Sequence, residues 1–498
     1  MHKIKLSSKA RHICLALLAG LGLALSQEPY RLWPLVFLSV IYLLRLIDKF
    51  VVTNEKIYLR SFVLAWCTYS IILCKWISYF GSIALIAFTF SQIIISTGFV
   101  YLIKFIKPNK YKALIYSFCW VAFEYVQSHL GIFSFTWTSF STTLISSPFS
   151  RLARTGGGAL LSFTVVFISG LIAFGVRNRS LINVKFIINS FLLITLSIAA
   201  FSVSSIRTNS TNKTKSIYVI QANDKNRYLT QREINNDLIA KQHLEVASKM
   251  NNRADIIIFP ESAFDEEPNY YQKDLKNVAK KANDLMILNT NSNINGFKYN
   301  TNYYFNNRFD YLGSYSKKRL VPFGEYVPLD KWIGSWKVFD PIGNGFKPGK
   351  KDITINGVTT LICYESTFTQ DVRNALKTNS HLLVITTNNR SYRKSGNSKQ
   401  HLAQSRLRAI EYGISTVHAS ISGPSALIER DGKVISSSKM FKKALLSGNL
   451  SWGRADSIYY VTRDWLSQLS VFVVLCIGLL NLRKFEWKSQ TSKKLKKL

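Results

Sequence analysis

The chain has 498 residues, of which 47% are hydrophobic, and it carries 64 Lys and Arg against 28 Asp and Glu. This length allows a sizeable soluble domain and a second part, while the hydrophobic fraction is high for a soluble protein and low for a pure membrane bundle. The net charge of +36 would suit a nucleic-acid-binding protein. Much of that charge flanks apolar runs, however, so we exclude nucleic acid as a partner and interpret it through the positive-inside rule.

About eight apolar runs, most of them near the ~20 residues that cross a bilayer, indicate a membrane protein. They lie at residues 12–26, 31–47, 58–78, 82–103, 113–133, 157–175, 184–204 and 465–482. The first two runs are short, and a hairpin that enters the membrane from one face is an alternative for them. A basic start and Ala24-Leu25-Ser26 before Gln27 also resemble a signal-peptide cleavage site, but we favour an uncleaved first span.

Lys and Arg alternate between the loops that join these runs. Basic clusters precede the first run, follow the second, fourth and sixth runs, and end the chain, whereas the other loops are poor in them. The positive-inside rule then puts both termini in the cytoplasm, with seven spans before the soluble domain. We therefore predict a membrane domain at 1–205, a domain at 206–463 in the periplasm or outside, and a last span with a basic tail at 464–498.

Strand and helix signals alternate through residues 206–463. The predicted strands lie at 216–222, 255–261, 285–289, 357–362 and 382–387, with paired strands across 300–312 and a hairpin about Asp431-Gly432. The predicted helices lie at 231–250, 268–283 and 399–412. This pattern favours two or more β-rich layers covered by helices. In the fifth apolar run, Glu124 is predicted to face the bundle or an aqueous cavity, unless the run is shifted towards an interface.

Three stretches of this domain carry candidate chemistry. A buried strand ends abruptly at Cys363, and strand ends that open into loops are where α/β enzymes tend to place reactive groups. A second strand ends in a carboxylate, Glu261, and Lys317 lies in the stretch from Tyr315 to Pro328. Cys363 is the only cysteine of the domain, so it cannot form an internal disulfide there, and no Cys or His spacing suggests a metal.

These residue types form a plausible nucleophilic set. A thiol with a pKa near ~8.5 is mostly protonated at neutral pH, so a carboxylate is needed to take its proton. A nearby ammonium would favour the thiolate and stabilise the oxyanion of a tetrahedral intermediate. Each residue alone has a simpler explanation, because free cysteine packs well in cores and lysines are common on surfaces. The prediction of a nucleophilic site therefore rests on the presence of Glu261, Lys317 and Cys363 in one domain.

The motifs that hold these residues resemble the nitrilase (carbon–nitrogen hydrolase) superfamily. They are Phe259-Pro260-Glu261, Tyr315-x-Lys317-x-x-Leu-Val-Pro-Phe-Gly-Glu325-Tyr-Val-Pro328 and Ile362-Cys363-Tyr364-Glu365. With the eight-span frame, nearly the whole chain resembles the apolipoprotein N-acyltransferase family of the Gram-negative inner membrane. Further matching segments are Gln221-Ala222-Asn223, Tyr299–Asn302, Thr387-Asn388 and Gln400–Ala409.

The resemblance implies a multi-span α-helical bundle carrying a four-layer α-β-β-α sandwich. It implies that Cys363 is the nucleophile, Glu261 the general base and Lys317 the oxyanion-stabilising lysine. Lys317 is preferred to Lys318 because it precedes Glu325 at the family's spacing. The implied supporting residues are Glu325, which would hold Lys317 or relay protons, the backbone N–H of Tyr364 as a second oxyanion donor, Glu365 and Asn388.

The implied reaction is ping-pong acyl transfer without a metal or soluble cofactor. Cys363 would take an acyl chain as a thioester from a phospholipid, chiefly the sn-1 chain of phosphatidylethanolamine. The acceptor would be the α-amine of a diacylglyceryl-cysteine apolipoprotein, in the last step of lipoprotein maturation. Two alternatives remain: a membrane-anchored amidase of the same superfamily, and an inactive nitrilase-fold interaction module. The intact Glu, Lys and Cys argue against the second.

The chain also departs from the family pattern. Where the family has Thr-Asn-Asp-x-Trp-Phe, this chain has Asn389 for the acid and Ser391 for the first aromatic residue. Arg319 stands where His is usual, and the family's Arg and Asn residues near 418–423 are replaced. We expect these changes to alter recognition of the acyl chain and the acceptor. The sequence leaves chain-length preference, head-group preference and oligomeric state open.

Overall fold

The computed structural model describes residues 7–108, 111–175, 213–223, 230–328, 330–334 and 345–495. The predicted run at 184–204 lies outside these residues. The chain divides into a helical unit, Met1–Ile206 with Val461–Leu498, and an α/β unit, Arg207–Tyr460.

The helical unit has a helix at seven of the eight predicted runs. These helices are α1 (Ser8–Ser26), α2 (Leu35–Thr53), α3 (Lys56–Leu73), α4 (Ser82–Ile106), α5 (Lys112–Ser128), α6 (Ala153–Gly175) and a C-terminal helix (Trp465–Leu495). In the described part of the chain, five segments are long and apolar enough to cross a membrane: Ser8–Ser26, Lys56–Leu73, Ser82–Ile106, Pro148–Gly175 and Trp465–Arg483.

The two predicted runs that fail this test fail for different reasons. Helix α2 carries three charged residues, Arg45, Asp48 and Lys49, and α5 has only 17 residues. Asp48 is paired with Lys112 at 2.5 Å between Oδ1 and Nζ, and an ion pair lowers the cost of burying both charges. The count of about eight spans therefore stays a prediction.

Glu124 of α5 points into the helical unit. Its Oε1 accepts hydrogen bonds from the Trp120 indole N–H at 2.9 Å and from the backbone N–H of Phe140 at 3.0 Å. Its Oε2 accepts from the Ser139 hydroxyl at 3.0 Å. The carboxylate thus connects the short 3-10 helix Phe140–Ser146 to α5. Of the two predicted alternatives for Glu124, the structure therefore has the one in which the side chain faces the bundle.

The described residues of the α/β unit form twelve strands in two six-stranded sheets. The strands are β1 (Thr214–Gln221), β2 (Ala254–Ile258), β3 (Ala282–Ile294), β4 (Phe297–Phe305), β5 (Tyr311–Ser316), β6 (Thr354–Ile355), β7 (Val358–Ile362), β8 (Leu382–Thr387), β9 (Thr416–Ser420), β10 (Ala426–Ile428), β11 (Val434–Ser437) and β12 (Ala444–Ser451). The first sheet has the order β12-β1-β2-β3-β4-β5, and the second has β11-β10-β9-β8-β7-β6.

The direction of the strands decides where their ends lie. Strands β1, β2 and β3 are parallel, and two antiparallel pairings then return β5 to the same direction. In the second sheet β7, β8 and β9 are parallel. Each sheet therefore collects several carboxyl ends at one edge, which is where α/β folds present polar side chains.

The two sheets pack face to face. One apolar core combines side chains of both sheets, among them Ile256, Ile287, Leu361 and Ile385, all of them at most 1% exposed. Strands β7, β8 and β9 are buried at every residue and contain no Asp, Glu, Lys or Arg, because a strand covered on both faces offers no solvent to a charge.

Helices cover the outer faces of the sheets. They are α7 (Gln231–Asn235), α8 (Leu238–Ser248), α9 (Gln272–Ala279), α10 (Asp330–Ile333), α11 (Thr369–Ala375), α12 (Asn397–Tyr412) and α13 (Ile458–Thr462). Helices α8 and α9 pack on the first sheet, and α12 packs on the second. The predicted helix at 231–250 is two helices, because Asp237 has a left-handed backbone with φ of 49°. The predicted helix at 268–283 ends early, because β3 already begins at Ala282.

Candidate active site

Three strand ends bring the predicted catalytic residues together. Glu261 lies three residues after β2, Lys317 directly follows β5, and Cys363 directly follows β7. Strands β2 and β5 run in the same direction in the first sheet, and β7 belongs to the sheet packed against it. Residues that are 56 and 46 positions apart in sequence therefore lie at one edge of the sandwich.

Lys317 lies between two carboxylates. Its Nζ is 2.8 Å from Glu325 Oε1 and 3.4 Å from Glu261 Oε1, and the residue is 2% exposed. Burial alone would lower the pKa of this lysine, but the charges of Glu325 and Glu261 outweigh it and hold the pKa well above its ordinary value. Lys317 therefore stays an ammonium at neutral pH.

Glu261 is a buried carboxylate with three close partners, Asn300, Asn388 and Lys317. Its Oε1 accepts from the Asn300 side-chain amide at 2.6 Å, and its Oε2 accepts from the backbone N–H of Asn388 at 2.6 Å. Burial raises the pKa of Glu261, although the positive charge of Lys317 opposes the shift. A carboxylate with a raised pKa is a stronger base than an exposed one.

Cys363 occupies a sharp turn at the end of β7. Its φ is 52°, in the left-handed region that residues with a Cβ rarely adopt, and the next residues form a short 3-10 helix, Cys363–Thr367. Its Sγ lies 3.3 Å from the oxygen of the Thr387 hydroxyl. Burial and the charge of Glu261 raise the pKa of the thiol to about 12, against the opposing charge of Lys317. The thiol is therefore protonated at neutral pH, and an attack by sulfur requires a base.

Glu365 connects the loop that carries Lys317 to the turn that carries Cys363. Its carboxylate accepts from the backbone N–H groups of Lys318 at 2.7 Å and Arg319 at 3.1 Å, which follow β5. It also accepts from the N–H of Ile362 at 2.8 Å and from the Tyr315 hydroxyl at 2.8 Å. Burial raises the pKa of Glu365 to about 7 against these donors. This carboxylate connects the loop of Lys317 to the turn of Cys363 and so sets their separation.

The remaining predicted residues lie around this centre. The Tyr364 ring packs edge-on against Phe368, at 4.9 Å between centroids, and Asn388 contributes its backbone N–H to Glu261 as described above. Lys318, the lysine not chosen, turns away and pairs with Asp352 at 2.5 Å between Nζ and Oδ1. Arg319 is ion-paired with Asp371 and places its guanidinium 4.1 Å from the Phe368 ring centroid.

The sequence analysis did not assign roles to Asn300, Thr387 or Tyr392. Asn300 and Thr387 each lie inside a segment that matched the family, so a signal was present without a chemical reason to single them out. Tyr392 follows Ser391, where an aromatic residue is lost. Burial raises the pKa of Tyr392, and the charges of Cys363 and Glu261 add to the rise against that of Lys317.

A protein-bound metal ion needs several ligand side chains close together. Within the described ranges, no group of three or more His, Cys, Asp or Glu side chains is arranged to hold a metal ion.

Comparison with known proteins gives matches along most of the chain. The family model of the apolipoprotein N-acyltransferase N-terminal domain matches residues 19–171, and the carbon-nitrogen hydrolase model matches residues 219–460. The chain is similar to apolipoprotein N-acyltransferases of Wigglesworthia glossinidia brevipalpis, with 28% identity over 86% of this chain and 89% of the relative, and of Haemophilus influenzae, with 26% identity over 92% of each. A solved amidase of the nitrilase superfamily, from Nesterenkonia AN1, is 18% identical and has a TM-score of 0.36, covering 50% of this chain and 94% of the amidase.

Proposed function

Since the chain belongs to the apolipoprotein N-acyltransferase family, whose members are bacterial membrane acyltransferases with a carbon-nitrogen hydrolase domain, we propose that it transfers a fatty acyl group from a phospholipid to an apolipoprotein. The acyl group passes through a thioester of Cys363. The acceptor is the N-terminal amine of a diacylglyceryl-cysteine apolipoprotein. The observation that carries this proposal is the buried set of Glu261, Lys317 and Cys363. Such a set can remove a thiol proton and stabilise an oxyanion.

In the first half-reaction, Glu261 takes the thiol proton as Cys363 Sγ attacks the ester carbonyl carbon. The Lys317 ammonium and the backbone N–H of Tyr364 stabilise the oxyanion of the tetrahedral intermediate. The C–O bond then breaks, and the leaving lysophospholipid oxygen takes the proton from Glu261. A thioester and a lysophospholipid result, and Glu261 is again a carboxylate.

In the second half-reaction, the neutral α-amine attacks the thioester carbonyl. Glu261 accepts a proton from the attacking nitrogen, and the same oxyanion donors act again. The C–S bond breaks, and the sulfur recovers the proton held by Glu261. Glu325, which lies 2.8 Å from Lys317 Nζ, keeps that lysine charged and in place throughout.

We further propose that the enzyme lies in the Gram-negative inner membrane, with its termini in the cytoplasm and the α/β unit in the periplasm. The alternation of basic loops supports this orientation. Phosphatidylethanolamine is the proposed donor. Both substrates are anchored in lipid, so the site is expected to open near the outer leaflet of that membrane.

The pH dependence of transfer is expected to follow Glu261 rather than the thiol. Because burial raises the pKa of Glu261 above its ordinary 4.5, kcat/KM for the phospholipid donor should fall on acidification with a midpoint above that value. In a ping-pong reaction this constant reports the first half-reaction and is independent of the titration of the acceptor amine. Below this midpoint Glu261 is protonated and cannot accept the thiol proton. With the thiol pKa at about 12, no rise due to thiolate is expected up to about pH 9. A tenfold rise per pH unit from neutral upwards would contradict this assignment.

The test of the proposed function is acyl transfer in detergent micelles by the full-length enzyme. Triacylated lipopeptide should form from phosphatidylethanolamine and a diacylglyceryl lipopeptide, and should require both. Release of free fatty acid at the same rate without lipopeptide would instead indicate an amidase-like hydrolase. If neither product forms and Cys363 acquires no acyl group, the catalytic proposal is wrong and the chain is an interaction module.

A further inference from the structure

Three buried polar side chains, Thr387, Asn389 and His401, form a cluster next to the proposed nucleophile, Cys363. Thr387 ends β8, the parallel neighbour of β7, and its hydroxyl lies 3.3 Å from Cys363 Sγ. The same hydroxyl is 3.1 Å from Asn389 Oδ1 and 3.4 Å from His401 Nδ1. Thr387 and Asn389 are 0% exposed and His401 is 2% exposed, so water does not substitute for their partners.

The Thr387 hydroxyl has one hydrogen to give. A hydroxyl donates once and accepts up to twice. If its hydrogen points to Asn389 Oδ1, the sulfur receives no hydrogen bond from it. The direction of this single hydrogen is therefore set by whether Asn389 and His401 present acceptors or donors to Thr387.

His401 presents an acceptor. Burial lowers the pKa of His401 to about 4, so the ring is neutral at neutral pH and carries one N–H. Its Nε2 lies 3.1 Å from the backbone oxygen of Cys363, which can only accept. The same Nε2 lies 2.8 Å from the Ser366 hydroxyl, whose one hydrogen goes to that backbone oxygen at 2.8 Å, so Ser366 also presents an acceptor. The hydrogen is therefore on Nε2, and Nδ1 needs a donor.

Asn389 can supply that donor. With its Oδ1 towards Thr387 and His401, its Nδ2 is a buried donor without a partner among the residues that the structure describes. The amide oxygen and nitrogen have nearly the same shape, and hydrogen bonding decides between the two orientations. The reversed orientation places the NH₂ group against two acceptors, Thr387 Oγ1 and His401 Nδ1. The hydroxyl hydrogen is then left for Cys363 Sγ.

We propose that Thr387 is a positioning residue whose hydroxyl donates a hydrogen bond to Cys363 Sγ as negative charge develops there, and that the Asn389 amide and His401 hold the hydroxyl in that direction. This inference rests on the proposed function in that Cys363 is the nucleophile. An aspartate at position 389, as in the family pattern, would offer only acceptors and would draw the hydrogen away from sulfur. In this proposal Asn389 acts on the side of the nucleophile that carries Thr387.

The test is the pH dependence of Cys363 alkylation by iodoacetamide in the full-length enzyme, followed on the peptide that contains Cys363. Thr387→Val removes the hydroxyl at nearly constant volume. Hydrogen bonds to charged groups are among the stronger ones, so the pKa of the thiol should rise by about 1 unit. Below that pKa, the alkylation rate at each pH should then fall about tenfold, and acyl transfer should also fall about tenfold. Thr387→Ser should restore both.

Thr387→Val leaves the other ionisable groups near Cys363 unchanged. They are the carboxylates of Glu261 and Glu325, the Lys317 ammonium and the Tyr392 hydroxyl. Thr360→Val is the matched control, because Thr360 is a buried hydroxyl of β7 that bonds to Tyr304 at 2.7 Å. This control should keep the wild-type pH profile.

The inference is overturned if Thr387→Val keeps the wild-type alkylation profile, or if Thr387→Ser is as impaired as Thr387→Val. Should Thr387→Val not fold, Asn389→Asp decides, since it should raise the apparent pKa of the thiol, and an unchanged profile would contradict the inference. Alkylation reports on the thiol even where no acyl group is transferred. Failure of the wild type to make triacylated lipopeptide therefore counts against the proposed function alone.

Discussion

Replacing Cys363 by alanine is expected to abolish acyl transfer, with a loss of about 10⁴-fold or more, as for other enzymes that lose their nucleophile. The alanine keeps a Cβ, so the left-handed turn at this position, with φ of 52°, is no more strained than before. The substitution removes only the sulfur that would carry the acyl chain. No acyl group should then remain on the enzyme when a radiolabelled donor is supplied without acceptor.

Cys363→Ser sharpens this test. A serine hydroxyl ionises far less readily than a thiol, so transfer should be slow, while any acyl group that forms is an oxygen ester that resists cleavage by hydroxylamine. The matched control is Cys476→Ala, because Cys476 lies in the C-terminal helix of the helical unit. That variant should keep wild-type transfer. Retention of transfer by Cys363→Ala with a normally folded enzyme would show that another group carries the acyl chain.

The positions of Glu261 and Cys363 were readable from sequence for a physical reason. Glu261 and Cys363 each follow a run of apolar, β-branched residues, and such runs mark buried strands. Lys317 follows the polar strand β5 and could be found only through its motif. The family motifs then joined three stretches that periodicity alone could not connect. The structure adds the direction of β5, which returns to that of β2 and so places Lys317 beside Glu261.

The contacts that support the catalytic residues could not be predicted from the sequence in this way. Glu365 matters through backbone N–H groups of Lys318 and Arg319, and backbone donors leave no trace in a sequence. Thr387 meets Cys363 only because β8 pairs with β7, which is a long-range pairing. The charges of α2 were visible, yet their effect depends on the Asp48–Lys112 ion pair, which only the fold reveals.

Replacing Lys317 by methionine should produce the second large effect. The substitution removes one oxyanion donor, and loss of such a donor costs about 10²–10³-fold in kcat. It also leaves Glu261 and Glu325 facing each other without the cation that now lies 3.4 Å and 2.8 Å from them. Without that cation the pKa of Glu261 should rise further, so the acid limb of the pH profile should move to higher pH in the variant.

Stability separates this catalytic effect from a general loss of structure. Breaking a buried ion pair by removing one partner typically costs about 3–5 kcal/mol, so Lys317→Met should lower the melting temperature and do so more strongly at higher pH, where both carboxylates are charged. Lys318→Met is the matched control, because the neighbouring side chain pairs with Asp352 near the surface, where such a pair contributes under about 1 kcal/mol. Transfer rates and thermal unfolding of both variants, measured across pH, therefore decide the role of Lys317. If Lys318→Met lost as much activity as Lys317→Met, the oxyanion role would belong to the loop as a whole and not to the buried ammonium.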